Sequence, residues 1–231
     1  MPYGYFMWDP TFIILIPVII LTIYAQSKVK KTVNQYMKIS NIRNYTGEQI
    51  ARLMLNRNGL NNIPIEIANG KLGDHYDPVN RVLRLSYDVF QGKSIASASI
   101  AAHEVGHAIQ HSEGYAPLAL RKITFPVARF GSSAAWIFIL VGLIMPSFYF
   151  LLDIGIILFA AGVVFQIITL PVEFNASKRG LMMLSQDGYL YDSEMEGARK
   201  VLNAAALTYV AAMAAGLAQL IRLLIIRGNR R

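Results

Sequence analysis

The residues of this sequence best suited to chemistry are His103-Glu104-Val105-Gly106-His107. Side chains four apart on a helix share a face, so His103 and His107 can point at one ion. Glu104 sits beside them, placed to take a proton from a water that the ion activates. Zinc held at this spacing lowers the pKa of that water toward neutrality and polarises a scissile carbonyl. The carboxylate is then left to carry the proton to the leaving amine. The chain has only four His, and two of them with a Glu on an apolar helix are costly unless partnered. A chance spacing is therefore the weaker reading. Gly106 has no side chain, which lets another backbone or a substrate come close.

The chain has no Cys, so thiolate ligands and disulfides are excluded and imidazole and carboxylate must suffice. His111 continues the stripe of His103 and His107, but a further helical turn carries it about 6 Å along the axis. It reads as a neighbour of the site or a surface residue. Glu173, in Leu170-Pro171-Val172-Glu173, is the better third ligand. A catalytic site with two His and a carboxylate keeps a fourth position open, and a carboxylate where an apolar run ends needs a partner. The alternative is an ordinary interfacial Glu. In the segment Gly73–Ser86, Val82–Ser86 reads as an edge strand that could pair with an extended peptide. His75 or Tyr76 would then donate to the oxyanion; equally, Asp74, Tyr76 and Asp77 could simply build a turn.

The elements that position these residues lie in an apolar chain. Of 231 residues, 54% are hydrophobic and 16% charged, against about 25% charged in soluble domains. The net charge of +8 comes from Lys and Arg flanking apolar runs, as at Lys28, Lys30, Lys31, Arg222, Arg227, Arg230 and Arg231. With no nucleic-acid-binding signature beside them, they read as membrane-flanking residues, and no nucleic-acid partner is expected. Apolar runs over about 6–25, 132–151, 153–172 and 204–226 approach the roughly 20 residues that cross a bilayer. Pro146-Ser147 and Asp153 mark a turn between the middle two. Tyr5, Trp8, Tyr24 and Trp136 read as interfacial anchors, and Lys178 and Arg179 as basic residues following a span, Arg179 alternatively pairing with a site carboxylate. The positive-inside rule places the N-terminus outside and residue 28 onward in the cytoplasm. Four full crossings would leave the basic C-terminus outside, against that rule, so the last run either crosses against it or is re-entrant.

The most polar stretch opens with a capped helix, Thr46-Gly47-Glu48-Gln49 leading into Ile50–Leu55 and stopped by Asn58-Gly59. Short β-like runs follow at Asn61–Ile67 and Val82–Leu85, with a hairpin turn at Asp77-Pro78-Val79-Asn80. Residues 94–111 read as the helix that carries the two His.

Four motifs together carry a resemblance: Gly73-Asp74-His75-Tyr76-Asp77-Pro78, Leu83-Arg84-Leu85-Ser86, Ala101–Gln110 and Pro171–Ser177. Over nearly its whole length the chain resembles the YugP-type family of membrane zinc metallopeptidases. More remotely it resembles HtpX-like proteases and the gluzincins. The resemblance implies Zn2+, a peptidase-like fold and several spans. In gluzincins an Asp four residues after the third ligand orients a ligand His; here that position is Ser177, with Asn175 nearby.

The expected architecture is mainly α, a polytopic membrane protein with about four apolar helices and a small zincin-like α+β cytoplasmic catalytic region. Residues 1–25 form an N-terminal transmembrane anchor, and 26–130 a cytoplasmic zincin-like region with the His-Glu helix. Residues 131–172 form a transmembrane hairpin, 173–203 a cytoplasmic segment with the third ligand, and 204–231 an apolar helix with a basic tail. The expected function is zinc-dependent endopeptidase action on peptides or membrane proteins at the cytoplasmic face of a prokaryotic inner membrane. His103, His107 and Glu173 would hold the metal, with Glu104 as base. An intramembrane protease is the less favoured alternative, because Lys93 and Gln110-His111-Ser112-Glu113 leave too few apolar residues around position 103. A zinc-holding scaffold is the non-enzymatic one.

Overall fold

The computed structural model describes residues 10–68 and 73–229; Tyr5, Trp8, Arg230 and Arg231 lie outside the described residues. Seven α-helices and three strands occur among them. A 3-10 turn at Pro10–Leu15 runs into α1 (Ile16–Tyr36), followed by α2 (Gly47–Arg57), β1 (Ile65–Ile67), β2 (His75–Asp77), β3 (Val82–Leu85) and α3 (Tyr87–Phe90). Then come α4 (Ile95–Ser112), α5 (Ala116–Ile144), α6 (Phe150–Gln186) and α7 (Asp192–Gly228). Four helical stretches, Pro10–Tyr36, α5, α6 and α7, are long and apolar enough to cross a membrane. The expected run 153–172 lies within α6, whereas the expected run 132–151 overshoots α5, which ends at Ile144, and takes in the turn and the start of α6. Asp153 lies in the first turn of α6, so the turn between α5 and α6 is confined to Pro146–Phe148 and its flanks.

The chain divides into two compact units. The first comprises Met1–Ala25, Leu120–Leu170 and Thr208–Arg231. Its part of α6, Phe150–Leu170, is about 30 Å long at 1.5 Å per residue, the thickness of a hydrocarbon core. Small residues let these helices meet: a Cβ on Gly142 would lie 2.5 Å from Leu152 N, and one on Gly155 would lie 2.9 Å from Ala135 O. Ala135, Ile139, Leu152, Ile156 and Leu223 form its buried cluster, while Ile20, Ile137, Ile157 and Ile221 are exposed, as lipid-facing side chains would be. Arg227 pairs with Asp153, the Tyr149 hydroxyl donates to Arg227 O at 2.9 Å, and Arg222 Nε donates to Thr11 Oγ1 at 3.2 Å. Thr11, the Pro146–Phe148 turn and the end of α7 therefore share one end of this unit. The last apolar run thus returns to where α6 begins, rather than turning back midway.

The second unit comprises Gln26–Ala119 and Pro171–Leu207. Thr46 and Gln49 cap α2 reciprocally, each side chain bonding the other's backbone, and the helix buries Ile50, Ala51, Met54 and Leu55. Asn58 follows as its C-cap and Gly59 takes φ +72°. The sheet has the order β1-β3-β2, with β1 parallel and β2 antiparallel to β3. Asp77 Oδ1 closes the β2–β3 turn by accepting from Val79 N at 2.9 Å and Asn80 N at 3.1 Å. This corrects the expected edge: Val82–Leu85 is central, and β2, the segment that could have been only a turn, is an outer strand. The Leu83 and Leu85 side chains pack into the core with Val89, Val105 and Ile109, which explains why the more apolar strand takes the middle.

Within this unit, α4 and α6 come so close that backbone meets backbone. A Cβ on Gly106 would lie 2.5 Å from Ala176 O, and one on Gly180 would lie 2.9 Å from Ala102 O. Both contacts are too short for any side chain, so the helices must separate if either Gly is replaced. Gly106→Ala is expected to destabilise the protein by about 1–3 kcal/mol, read as a lowered Tm in detergent. Gly131→Ala, whose Cβ would meet nothing nearer than 3.5 Å, is expected to leave Tm unchanged.

Candidate metal centre

The start of α4 is fixed by Ser94, whose side chain accepts from Ser97 N. From there the helix is buried on most sides, with Ala98, Ala101, Ala102, Val105 and Ala108 in the core. Its remaining face presents His103, Glu104 and His107. Across the Gly106–Ala176 contact, α6 presents Glu173, which is 2% exposed.

One oxygen of that carboxylate faces both imidazoles. Glu173 Oε2 lies 3.3 Å from His103 Nε2 and 3.6 Å from His107 Nε2. The two rings stand edge to face, with centroids 4.7 Å apart. A ligand atom from each of the three residues lies within 4.8 Å of the others, and among the described residues they form the one group of His and carboxylates able to hold a metal ion. Tetrahedral N and O ligands at about 2.0–2.2 Å from zinc stand about 3.3–3.6 Å apart, which matches both separations. A charge-assisted N–H···O bond would be shorter, about 2.7–2.9 Å. The donor set thus fits a zinc ion.

Each imidazole is held from behind. His103 Nδ1 lies 3.0 Å from Ser177 Oγ, and His107 Nδ1 lies 3.0 Å from Gln110 Oε1. Ser177 thus occupies the place where the resemblance puts an Asp and keeps the contact with a ligand His. Gln110 is fully buried, and its amide nitrogen donates to Val172 O at 2.8 Å and Asn175 Oδ1 at 3.0 Å. Arg179 Nε donates to the same Asn175 oxygen at 2.7 Å, and Arg179 Nη2 pairs with Glu113 Oε2 at 2.7 Å. Arg179 therefore pairs with a carboxylate, Glu113, and reaches the site through Asn175. The hydrogen bond from Arg179, with its charge, holds the Glu113 carboxyl below its ordinary pKa.

Glu104, 8% exposed, is anchored by β2, since Tyr76 N donates to Glu104 Oε2 at 3.0 Å. The Tyr76 hydroxyl lies 2.9 Å from His111 Nδ1, which places His111 beside the site as a partner of Tyr76. His75 Nδ1 lies 2.9 Å from Gly73 O, within its own loop. Burial opposes a charge on His107, but its hydrogen bond to Glu173 and the charges of Glu104 and Glu173 outweigh it and raise its pKa. Burial raises the Tyr76 pKa, so its hydroxyl stays protonated as a donor. Gln110 was not among the expected site residues. Its signal was a polar side chain three residues after His107, on the same helical face, within a helix otherwise buried by small apolar residues.

The family model described as "Putative neutral zinc metallopeptidase" matches residues 11–228. The chain belongs to this family. A relative described as "Putative membrane protease YugP", from Bacillus subtilis (strain 168), is 47% identical over 211 residues, covering 91% of this chain and 93% of its own. No solved structure matches the chain.

Ser177→Ala removes the hydroxyl behind His103 while leaving the three candidate ligands in place. It is expected to raise the zinc dissociation constant about 10-fold, measured by competition with a chromogenic chelator, without changing the fold seen by circular dichroism.

Proposed function

We propose that this protein is a zinc metalloendopeptidase hydrolysing peptide bonds of membrane proteins, or of segments near the membrane surface, at the cytoplasmic interface. The observation that carries this reading is the convergence of His103, His107 and Glu173, with the buried Glu104 beside them on α4. Zinc bound there would supply Lewis acidity toward a water and toward the scissile carbonyl. Structural zinc sites close with four protein ligands, whereas this group has three.

Glu104 has the base's role. Its Oε2 is held by Tyr76 N–H, and its other oxygen takes the proton from the attacking water and passes it to the leaving amine. β2 is an outer strand that also fixes Glu104, so an extended substrate lying along it would pass beside the base, with the outward Tyr76 N–H itself engaged by Glu104. Tyr76 and His75 are the candidates to donate to the oxyanion. Each has a partner on one side: the Tyr76 hydroxyl lies against His111 Nδ1, and His75 Nδ1 against Gly73 O, which leaves its Nε2 to serve.

The cytoplasmic assignment of residues 26–130 and 173–203 rests on Lys28, Lys30, Lys31, Lys178 and Arg179, which follow apolar segments. It leaves the end of α7 on the opposite side. There the pairing of Arg227 with Asp153 offsets the charge that breaks the positive-inside rule.

With zinc-loaded protein in detergent and fluorescently labelled casein as a generic unfolded substrate, Glu104→Gln is expected to keep wild-type zinc content and lose about 10²–10⁴-fold in hydrolysis rate. Equal, measurable rates would remove Glu104 from the base's role, and no hydrolysis by either zinc-loaded protein would favour a zinc-holding scaffold.

A further inference from the structure

The hydrogen bonds behind His107 run in one direction only, and two groups in them admit no ambiguity. A guanidinium only donates and a backbone carbonyl only accepts. Arg179 Nε stands 2.7 Å from the Asn175 side chain, so the Asn175 atom there is oxygen. The Gln110 atom 3.0 Å from that oxygen is also 2.8 Å from Val172 O; facing two acceptors, it is the amide nitrogen. The remaining Gln110 atom is then the carbonyl oxygen, which only accepts, and it lies 3.0 Å from His107 Nδ1. His107 Nδ1 must therefore carry the proton. In a neutral imidazole that leaves the lone pair on Nε2, the atom facing Glu173. Nothing comparable is imposed on His103, because the Ser177 hydroxyl can donate or accept.

We infer that Gln110 is the positioning residue that sets the metal-binding tautomer and ring orientation of His107, and that Arg179 acts through it by way of Asn175. The inference rests on the zinc-peptidase reading and deepens it. The two ligand imidazoles then differ: His107 arrives already oriented, whereas His103 takes whichever tautomer the metal selects. Glu113, at the end of α4, holds the far end of the chain by pairing with Arg179. The link therefore ties α4 to α6 a second time, beyond the small-residue contact.

The test uses the full-length protein in detergent, with zinc affinity by chelator competition and the visible spectrum of the cobalt(II)-loaded protein as readouts. Gln110→Met, similar in length but without the carbonyl, is expected to raise the zinc dissociation constant toward 100-fold. That exceeds the effect of Ser177→Ala, and the cobalt spectrum is expected to change. Arg179→Met, at a partly exposed position, is expected to raise the constant less, about 2- to 10-fold. In the Gln110→Met background it should add nothing, because its route to the metal is already cut. Should Gln110→Met fail to fold, Arg179→Met decides alone, and wild-type affinity and spectrum in that variant overturn the inference. Tight zinc binding by a folded Gln110→Met, or additive losses in the double variant, overturn it and leave the zinc reading intact. Failure of the wild type to bind zinc at all overturns both.

Discussion

The approach of α4 to α6 at Gly106 and Ala176, repeated at Ala102 and Gly180, is the constraint on which the rest of the site depends. His103 and His107 come from one helix and Glu173 from another, far along the chain. Their reach is only a few ångströms, so the axes must lie closer than ordinary side chains permit. Residues with no Cβ, or a single methyl, are the means. The same small residues offer little apolar area of their own, so the helix is held by what surrounds it: the Leu83 and Leu85 side chains of the sheet, and Leu184, Leu190 and Met195 from the α6–α7 end of the unit.

Such proximity has an electrostatic consequence. A carboxylate that is 2% exposed is costly away from water unless cations or donors face it. Here two imidazoles face the same oxygen, each engaged from behind by a polar side chain. A second carboxylate, Glu104, is buried on the same helix, satisfied in part by a backbone N–H of the outer strand. Two buried acids beside two imidazoles form a site with a deficit of positive charge, and a dication answers that deficit better than protons on the rings. The raised His107 pKa has the same origin. Structure and chemistry thus point the same way, to a site able to hold a divalent ion where three ligand atoms meet.

Much of this was legible in the residues themselves. The pair His103 and His107 follows from spacing on a helix, the α2 cap from Thr46 and Gln49, and the four apolar helices from their composition. Glu173 was accessible as a carboxylate ending an apolar run. Other features were hidden for physical reasons. Hydropathy sees only the apolar part of a helix, so the polar start of α7 at Asp192 and the continuation of α6 past Glu173 were invisible to it. Which strand is central depends on packing beneath the sheet, and a run of a few residues does not encode that. The role of Gln110 depends on Val172 and Asn175, which lie far off in sequence. Ser177 could be placed by resemblance, but its contact with His103 needed coordinates.

The most direct test of the central claim is zinc stoichiometry by elemental analysis of purified wild type and Glu173→Ala in detergent, with folding of both confirmed by circular dichroism. The account predicts near one zinc per chain in wild type and loss of the ion in folded Glu173→Ala. A full complement of zinc in Glu173→Ala would contradict it, because the ion would then be held elsewhere and the close approach of α4 and α6 would serve packing alone.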